Sequence, residues 1–315
     1  MNLKKVLSIT AVGTILIFIF WNIIKNKELI IKFPWHPHVL DLFLMLLFLV
    51  PIYISGATSW YLITNALNFK INYFSNLKIW VFSNFSRFIP GSIWQYAGRV
   101  YLTSKYGISK TEATTALIIE AIFNLTAGLL VVFISVCFLG FSLGGNFNII
   151  VFILVFFVTC LIFVLGNKRL MTLIVRILMK ITKKSGNLDF TLPKKWIGIL
   201  IFSYLLQFVL GGSVLFFLSR NAVDLSFDFY PIFIAIYAVS WMLGYISIFA
   251  SSGLGIQELS LAGFLSLYMP FSIAVIIAVA FRVLLIVAEL STVVALSLIT
   301  ASPKPRAFSA GIKAK

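Results

Sequence analysis

Two arginines, Arg87 and Arg99, flank a Pro90-Gly91 pair within residues 83–99, a stretch that also carries Ser83, Asn84, Ser86, Ser92 and Gln95. A second stretch, residues 250–258, carries Ser251, Ser252, Gly253, Gly255 and Glu258. A guanidinium grips phosphate through a bidentate fork, and a break at Pro-Gly exposes backbone donors to an anion. Both stretches interrupt long apolar runs. Irregular backbone is tolerated at membrane depth only where protein buries it or where it lines a wet cavity. The chemistry on offer is the holding of a phosphorylated headgroup. Arg87, Pro90, Gly91 and Arg99 would form one half of the site, and Gly253, Gly255 and Glu258 the other.

Four ionisable residues fall inside apolar segments: Glu120, Glu258, Arg282 and Glu289. Each costs ~2.5–3.5 kcal/mol at a bilayer centre, so such groups face a bundle interior and find partners. Glu120 is expected roughly 12 Å from one membrane face and Arg282 at roughly the same level. That match predicts a Glu120–Arg282 pair. Asn124 follows Glu120 by one helical turn, and Glu289 lies two turns beyond Arg282. Two readings stay open: an ion pair that fixes helix packing, or a polar lining for a headgroup path made of Glu120, Asn124, Arg282 and Glu289. Gln207 and Gly211-Gly212 read as packing features, with the glycines allowing close helix approach.

The elements that must position these groups are helices in lipid. The chain has 315 residues, 61% of them hydrophobic and only 11% charged, with a mean hydropathy of +1.07. A soluble domain carries about a quarter charged residues. Spans are expected at 6–24, 42–66, 113–139, 147–165, 196–219, 229–249 and 271–300, with a shorter run at 259–269. Residues 6–24 lack a small-residue cleavage site and read as a retained first helix rather than a signal peptide. Basic residues cluster at Lys4-Lys5, between 70 and 110, between 168 and 195, and after 303. Placing these segments in the cytoplasm, with both termini, leaves the outer loops neutral. This favours eight crossings, with 250–269 as a short one; seven crossings and a re-entrant hairpin is the alternative. The fold class is therefore an all-α polytopic bundle of about eight helices with two broken or re-entrant segments. A membrane domain covers 1–303 and a short basic cytoplasmic tail covers 304–315.

Local signals refine this. Lys78, Arg87 and Arg99 are too closely spaced for a simple span, so 71–105 is expected as two short helices bent at Pro90-Gly91. Ser109 and Glu112 read as a capping box opening the next span. Residues 166–195 alternate basic and apolar positions at helical spacing, as in a helix lying on an anionic leaflet or simply setting topology. Cys137 and Cys160 fall in apolar runs and read as packed thiols. His36 and His38 beside Trp35 read as an interfacial anchor rather than a metal site. Asp224 and Asp228 are too little for metal-dependent glycosyl transfer. The net charge of +16 follows membrane topology rather than nucleic-acid binding. The sequence holds no phosphate-binding loop, zinc-protease helix or Ser-His-Asp frame. No cofactor or metal is expected.

With Asn84, Arg87, Pro90-Gly91, Trp94, Gly98-Arg99, Gly107, Ala113 and Glu120, the chain resembles the lysylphosphatidylglycerol synthase transmembrane-domain family at its first signature. Gly253, Gly255 and Glu258, followed by Arg282, resemble its second. The likeness extends from about residue 10 to 300. It implies that the two segments meet around an inner cavity and that an amphipathic lipid moves between leaflets. Two departures stand out. The chain ends in a basic tail where full synthases continue into an aminoacyl transferase domain, so it is not expected to make lysyl lipid. Ser251-Ser252 replaces a Pro-Gly pair common in the family.

The leading expectation is a plasma-membrane flippase-like protein for an anionic phospholipid or a polyprenyl-phosphate-linked sugar. Without an ATPase motif, movement would be downhill or ion-coupled. One alternative is a non-transporting subunit assisting a cell-envelope glycosyltransferase. Another is a membrane-embedded transferase on a lipid-linked sugar, for which Glu258 or Glu120 would be the catalytic carboxylate. Transport or assistance is expected rather than catalysis.

Overall fold

A computed structural model describes residues 24, 27–33, 38–88, 93–140, 167, 169, 173, 177, 193–247 and 255–300. The described residues form helices and no strands. A short helix, α1 (Lys27–Lys32), precedes α2 (Val39–Ala66). Then come α3 (Tyr73–Phe85), which tightens into a 3-10 turn at Ser86–Phe88, and α4 (Trp94–Ser104). The rest are α5 (Lys110–Gly140), α6 (Lys194–Arg220), α7 (Tyr230–Ile246), α8 (Ile256–Leu265) and α9 (Phe271–Thr300).

Five of these, α2, α5, α6, α7 and α9, are long and apolar enough to cross a bilayer. They coincide with the expected runs at 42–66, 113–139, 196–219, 229–249 and 271–300. The runs at 6–24, apart from Ile24, and 147–165, with Cys160 and His36, lie outside the described residues. So does most of 166–195, in which Arg169, Leu173 and Ile177 are helical and exposed.

The bundle is built on antiparallel neighbours. The Ser59 and Ser203 hydroxyls meet at 2.7 Å, and Phe48 stacks on Phe217, so α2 and α6 run in opposite directions. On the other flank of α6, α7 approaches closely at Gly211-Gly212. A Cβ on Gly212 would lie 2.5 Å from Ile234 Cα, and one on Gly211 would lie 2.2 Å from the Tyr237 ring. The close approach expected of these glycines is therefore met by α7. Trp60, Phe123, Phe216, Phe233 and Phe281 are buried in the interior. One end of the bundle carries Asp41 at the start of α2 and Arg220 at the end of α6, 3.4 Å apart. This is called the Arg220 end below. The starts of α5 and α6 lie at the opposite, Lys110 end.

Local chemistry fixes the interrupted regions. The Ser109 backbone N–H donates to Glu112 Oε2 at 2.9 Å, and the Glu112 N–H to Ser109 Oγ at 3.2 Å. This is the expected capping box at the head of α5. Asn72 caps α3 by accepting from the Ser75 N–H. Two short helices, α3 and α4, flank residues 89–92 and pack against each other.

Helix α8 has ten residues, about 15 Å, or half of a ~30 Å hydrocarbon core. Beyond its end, Tyr268 packs against Phe229 and Phe233 at the start of α7. Its first turn is level with the middle of α9, where Glu258 meets Arg282. Helix α8 is thus the half of a crossing nearer the Arg220 end, entered through Gly255 at φ +87°. Glycine reaches that conformation without a Cβ clash.

Candidate functional site

At mid-depth, α2, α5, α6, α7 and α9 surround a cavity of about 380 Å³. That is space for about a dozen waters. Glu120 and Tyr204 each stand ten residues into their helices, and Arg282 eleven into its own. All are therefore roughly 15 Å from a helix start. Both interrupted regions supply walls: Arg87 and Ile93 border residues 89–92, while Ser247 and Gln257 border 248–254. Pro90, Gly91 and Gly253 lie outside the described residues.

Three arginines and three glutamates pair across these elements. Arg99, on α4, sends Nη1 to both Glu120 oxygens, at 2.7 and 2.5 Å. Its Nε donates to Ser83 Oγ at 2.9 Å and its Nη2 to Asn84 Oδ1 at 2.5 Å. The same guanidinium lies 5.0 Å from the Trp60 ring centre and 5.6 Å from that of Trp80. Trp80 Nε1 in turn donates to Glu120 Oε1 at 3.3 Å. Arg87, in the 3-10 turn after α3, pairs with Glu289 on α9. Arg282 Nε lies 3.3 Å from Glu258 Oε1, and its Nη1 donates to Gln257 Oε1 at 3.0 Å. Glu258 Oε2 accepts from the Gly255 N–H at 2.6 Å, so the glutamate also closes the first turn of α8. The N-terminal end of the α8 dipole favours its charge.

These pairings correct one expectation. Glu120 pairs with Arg99 rather than Arg282, and Arg282 takes Glu258. Depth along a span fixes level but not azimuth, and the two interrupted segments bring nearer partners to the same level. Glu120 and Arg282 do face one cavity, along with Arg87, Arg99 and Asn124. Glu258 and Glu289 stand behind Arg282 and Arg87 as their counter-charges. Gly255 serves the α8 terminus and does not line the cavity.

The arginines differ in reach. The side chain of Arg99 is 5% exposed and that of Arg282 11%, whereas Arg87 is 22% exposed. All three Arg99 nitrogens already have protein acceptors, so its geometry builds the wall. Arg87 is the most exposed of the three.

Sequence reasoning passed over the aromatic part of the lining. Tyr53, Tyr204, Tyr237, Trp241 and Tyr245 line the cavity together with Gln207, which the sequence marked only as a packing feature. Tyr53 donates its hydroxyl to the Leu285 carbonyl, and Trp241 stacks on Tyr245 with centroids 4.7 Å apart. In apolar spans these residues resemble ordinary interior aromatics. The one available signal was polar atoms on faces that α2, α6 and α7 all turn inward.

A search of curated proteins found no match. Residues 6–290 match the family model described as the lysylphosphatidylglycerol synthase TM region. With five apolar spans, two broken segments and a paired Arg/Glu core, the chain is a multi-pass integral membrane protein that belongs to this family.

Proposed function

We propose that the protein passes the polar headgroup of an anionic lipid, a phospholipid or a polyprenyl-phosphate-linked sugar, between leaflets while its tails stay in lipid. The observation that carries this reading is a polar cavity at mid-membrane depth, bordered by the described flanks of both interrupted segments. A phosphate entering from the Lys110 end would meet Arg87 first, as the most exposed of the three arginines. It would exchange with Glu289 for the guanidinium, so the arginine's charge stays compensated at each stage. Arg282 offers the next station in the same way. Arg99 and Glu120 hold α4 against α5 and keep Trp80 in the wall. On the positive-inside rule the basic Lys110 end would face the cytoplasm, which fits a plasma-membrane protein with that side inward.

Reconstitution tests this directly. The full chain in vesicles should speed the leaflet exchange of a fluorescent phosphatidylglycerol or a polyprenyl-phosphate-linked sugar, read by chemical quenching from outside. Rates equal to protein-free vesicles for both probes would overturn the reading. They would favour a subunit that assists a cell-envelope glycosyltransferase.

A further inference from the structure

The cavity lining mixes two kinds of polar group. Its three arginines are each paired with a glutamate. The others are neutral, and two of their atoms are not satisfied by the described residues. Tyr204 is 1% exposed, and its hydroxyl has no hydrogen-bond partner among the described residues; the same holds for Gln207 Oε1. Both residues sit on α6 and line the cavity. A buried hydroxyl or amide oxygen without a partner is costly, so such groups are retained where something entering the site completes them. Tyr204 both donates and accepts, while Gln207 Oε1 only accepts. O–H groups can satisfy both fully. Phosphate and carboxylate oxygens cannot donate to Gln207 Oε1, and an ammonium, though it could donate to both, leaves the Tyr204 proton without an acceptor. Beside them, the stacked Trp241 and Tyr245 add flat apolar surface of the kind that packs against C–H faces.

We infer that Tyr204 and Gln207 form a neutral subsite that reads hydroxyl groups on the headgroup, glycerol or sugar, in the same cavity as the arginines that meet its phosphate. The inference rests on the headgroup reading above and adds its substrate class: polyhydroxylated lipids, with the charge handled elsewhere in the cavity. Tyr204 is then a specificity residue, whose hydroxyl exchanges cavity water for the headgroup.

The test uses the full chain in phosphatidylcholine nanodiscs, with thermal unfolding followed as a second lipid is titrated. Phosphatidylglycerol supplies glycerol hydroxyls with a phosphate, glucosyl-diacylglycerol supplies sugar hydroxyls without one, and phosphatidic acid supplies phosphate alone. Stabilisation by phosphatidylglycerol, by glucosyl-diacylglycerol or by both, exceeding that by phosphatidic acid, is expected, and the stronger of the two names the source of the hydroxyls. Tyr204→Phe should weaken apparent affinity for the hydroxylated lipid by about three- to tenfold. It should leave the phosphatidic acid response unchanged and the lipid-free unfolding temperature equal or higher. Gln207→Leu should act in the same direction through the other atom. Equal stabilisation by phosphatidic acid, or two variants that bind like wild type, would overturn the subsite and leave the phosphate half of the site standing. If no lipid stabilises the wild-type chain, the headgroup reading falls as well.

Discussion

Asp41 and Arg220 meet at 3.4 Å at one end of the bundle, with Phe227 4.4 Å and Phe216 5.9 Å from the guanidinium. Glu120 and Arg99 meet at mid-depth with Trp60 and Trp80 at similar range. The ingredients are the same: an arginine, a carboxylate and two aromatic rings. The outcomes differ because of position. Asp41 lies in the first turn of α2 and Arg220 in the last turn of α6, where helix dipoles favour both charges. A long contact then suffices, and four rings around Phe216 complete the packing. At mid-depth Arg99 has no such help. It needs a bidentate carboxylate, Ser83 and Asn84, and it obtains them only because α3 and α4 fold back beside α5. A charge at a helix end is a tether, whereas a charge at mid-depth needs a built shell, and here that shell borders a cavity.

The largest expected effect breaks the mid-depth side of this comparison. Arg99→Met leaves Glu120, half-buried beside Trp80 on the cavity wall, without its counter-charge, and should cost about 3–5 kcal/mol of stability. Arg220→Met should cost clearly less, since Asp41 keeps the α2 dipole. Unfolding in detergent, compared side by side, checks the ranking; equal losses would dissolve the distinction. Next in size, Gly212→Ala drives a Cβ toward Ile234 Cα and should cost about 1–3 kcal/mol through overpacking, showing that the α6–α7 seam is closed to the contact limit. Gly255→Ala, strained at positive φ, should cost about 1–2 kcal/mol and loosen the first turn of α8, seen as faster amide exchange there. Smallest, Ser109→Ala removes half of a capping box outside both regions and should cost about 0.5–2 kcal/mol, with cavity properties intact.

The parts legible in the sequence were those fixed by local physics. Apolar length located α2, α5, α6, α7 and α9. Cap chemistry located the start of α5 at Ser109 and Glu112. The spacing of Lys78, Arg87 and Arg99 forbade a span and required two short helices. Partnerships were not legible, because they depend on how helices rotate about their axes. Arg99 reaches Glu120 only through the return of α4, and Arg87 reaches Glu289 across most of the chain length. Tyr204 gives no local signal at all: in a run of Leu and Phe it reads as a core ring, and only its unmatched hydroxyl marks it.

The most direct test of the headgroup path compares two charge-neutral replacements in the vesicle exchange assay. Arg87→Gln with Glu289→Gln removes the most exposed cavity pair without leaving a lone charge. Asp41→Asn with Arg220→Gln does the same at the far end. Both proteins should fold, since replacing both members of a buried pair is often near neutral. The first should slow exchange of fluorescent phosphatidylglycerol by about tenfold or more, the loss of a charge-assisted phosphate contact, while the second should match wild type. Equal rates for wild type and the Arg87/Glu289 variant would contradict a headgroup route through the cavity.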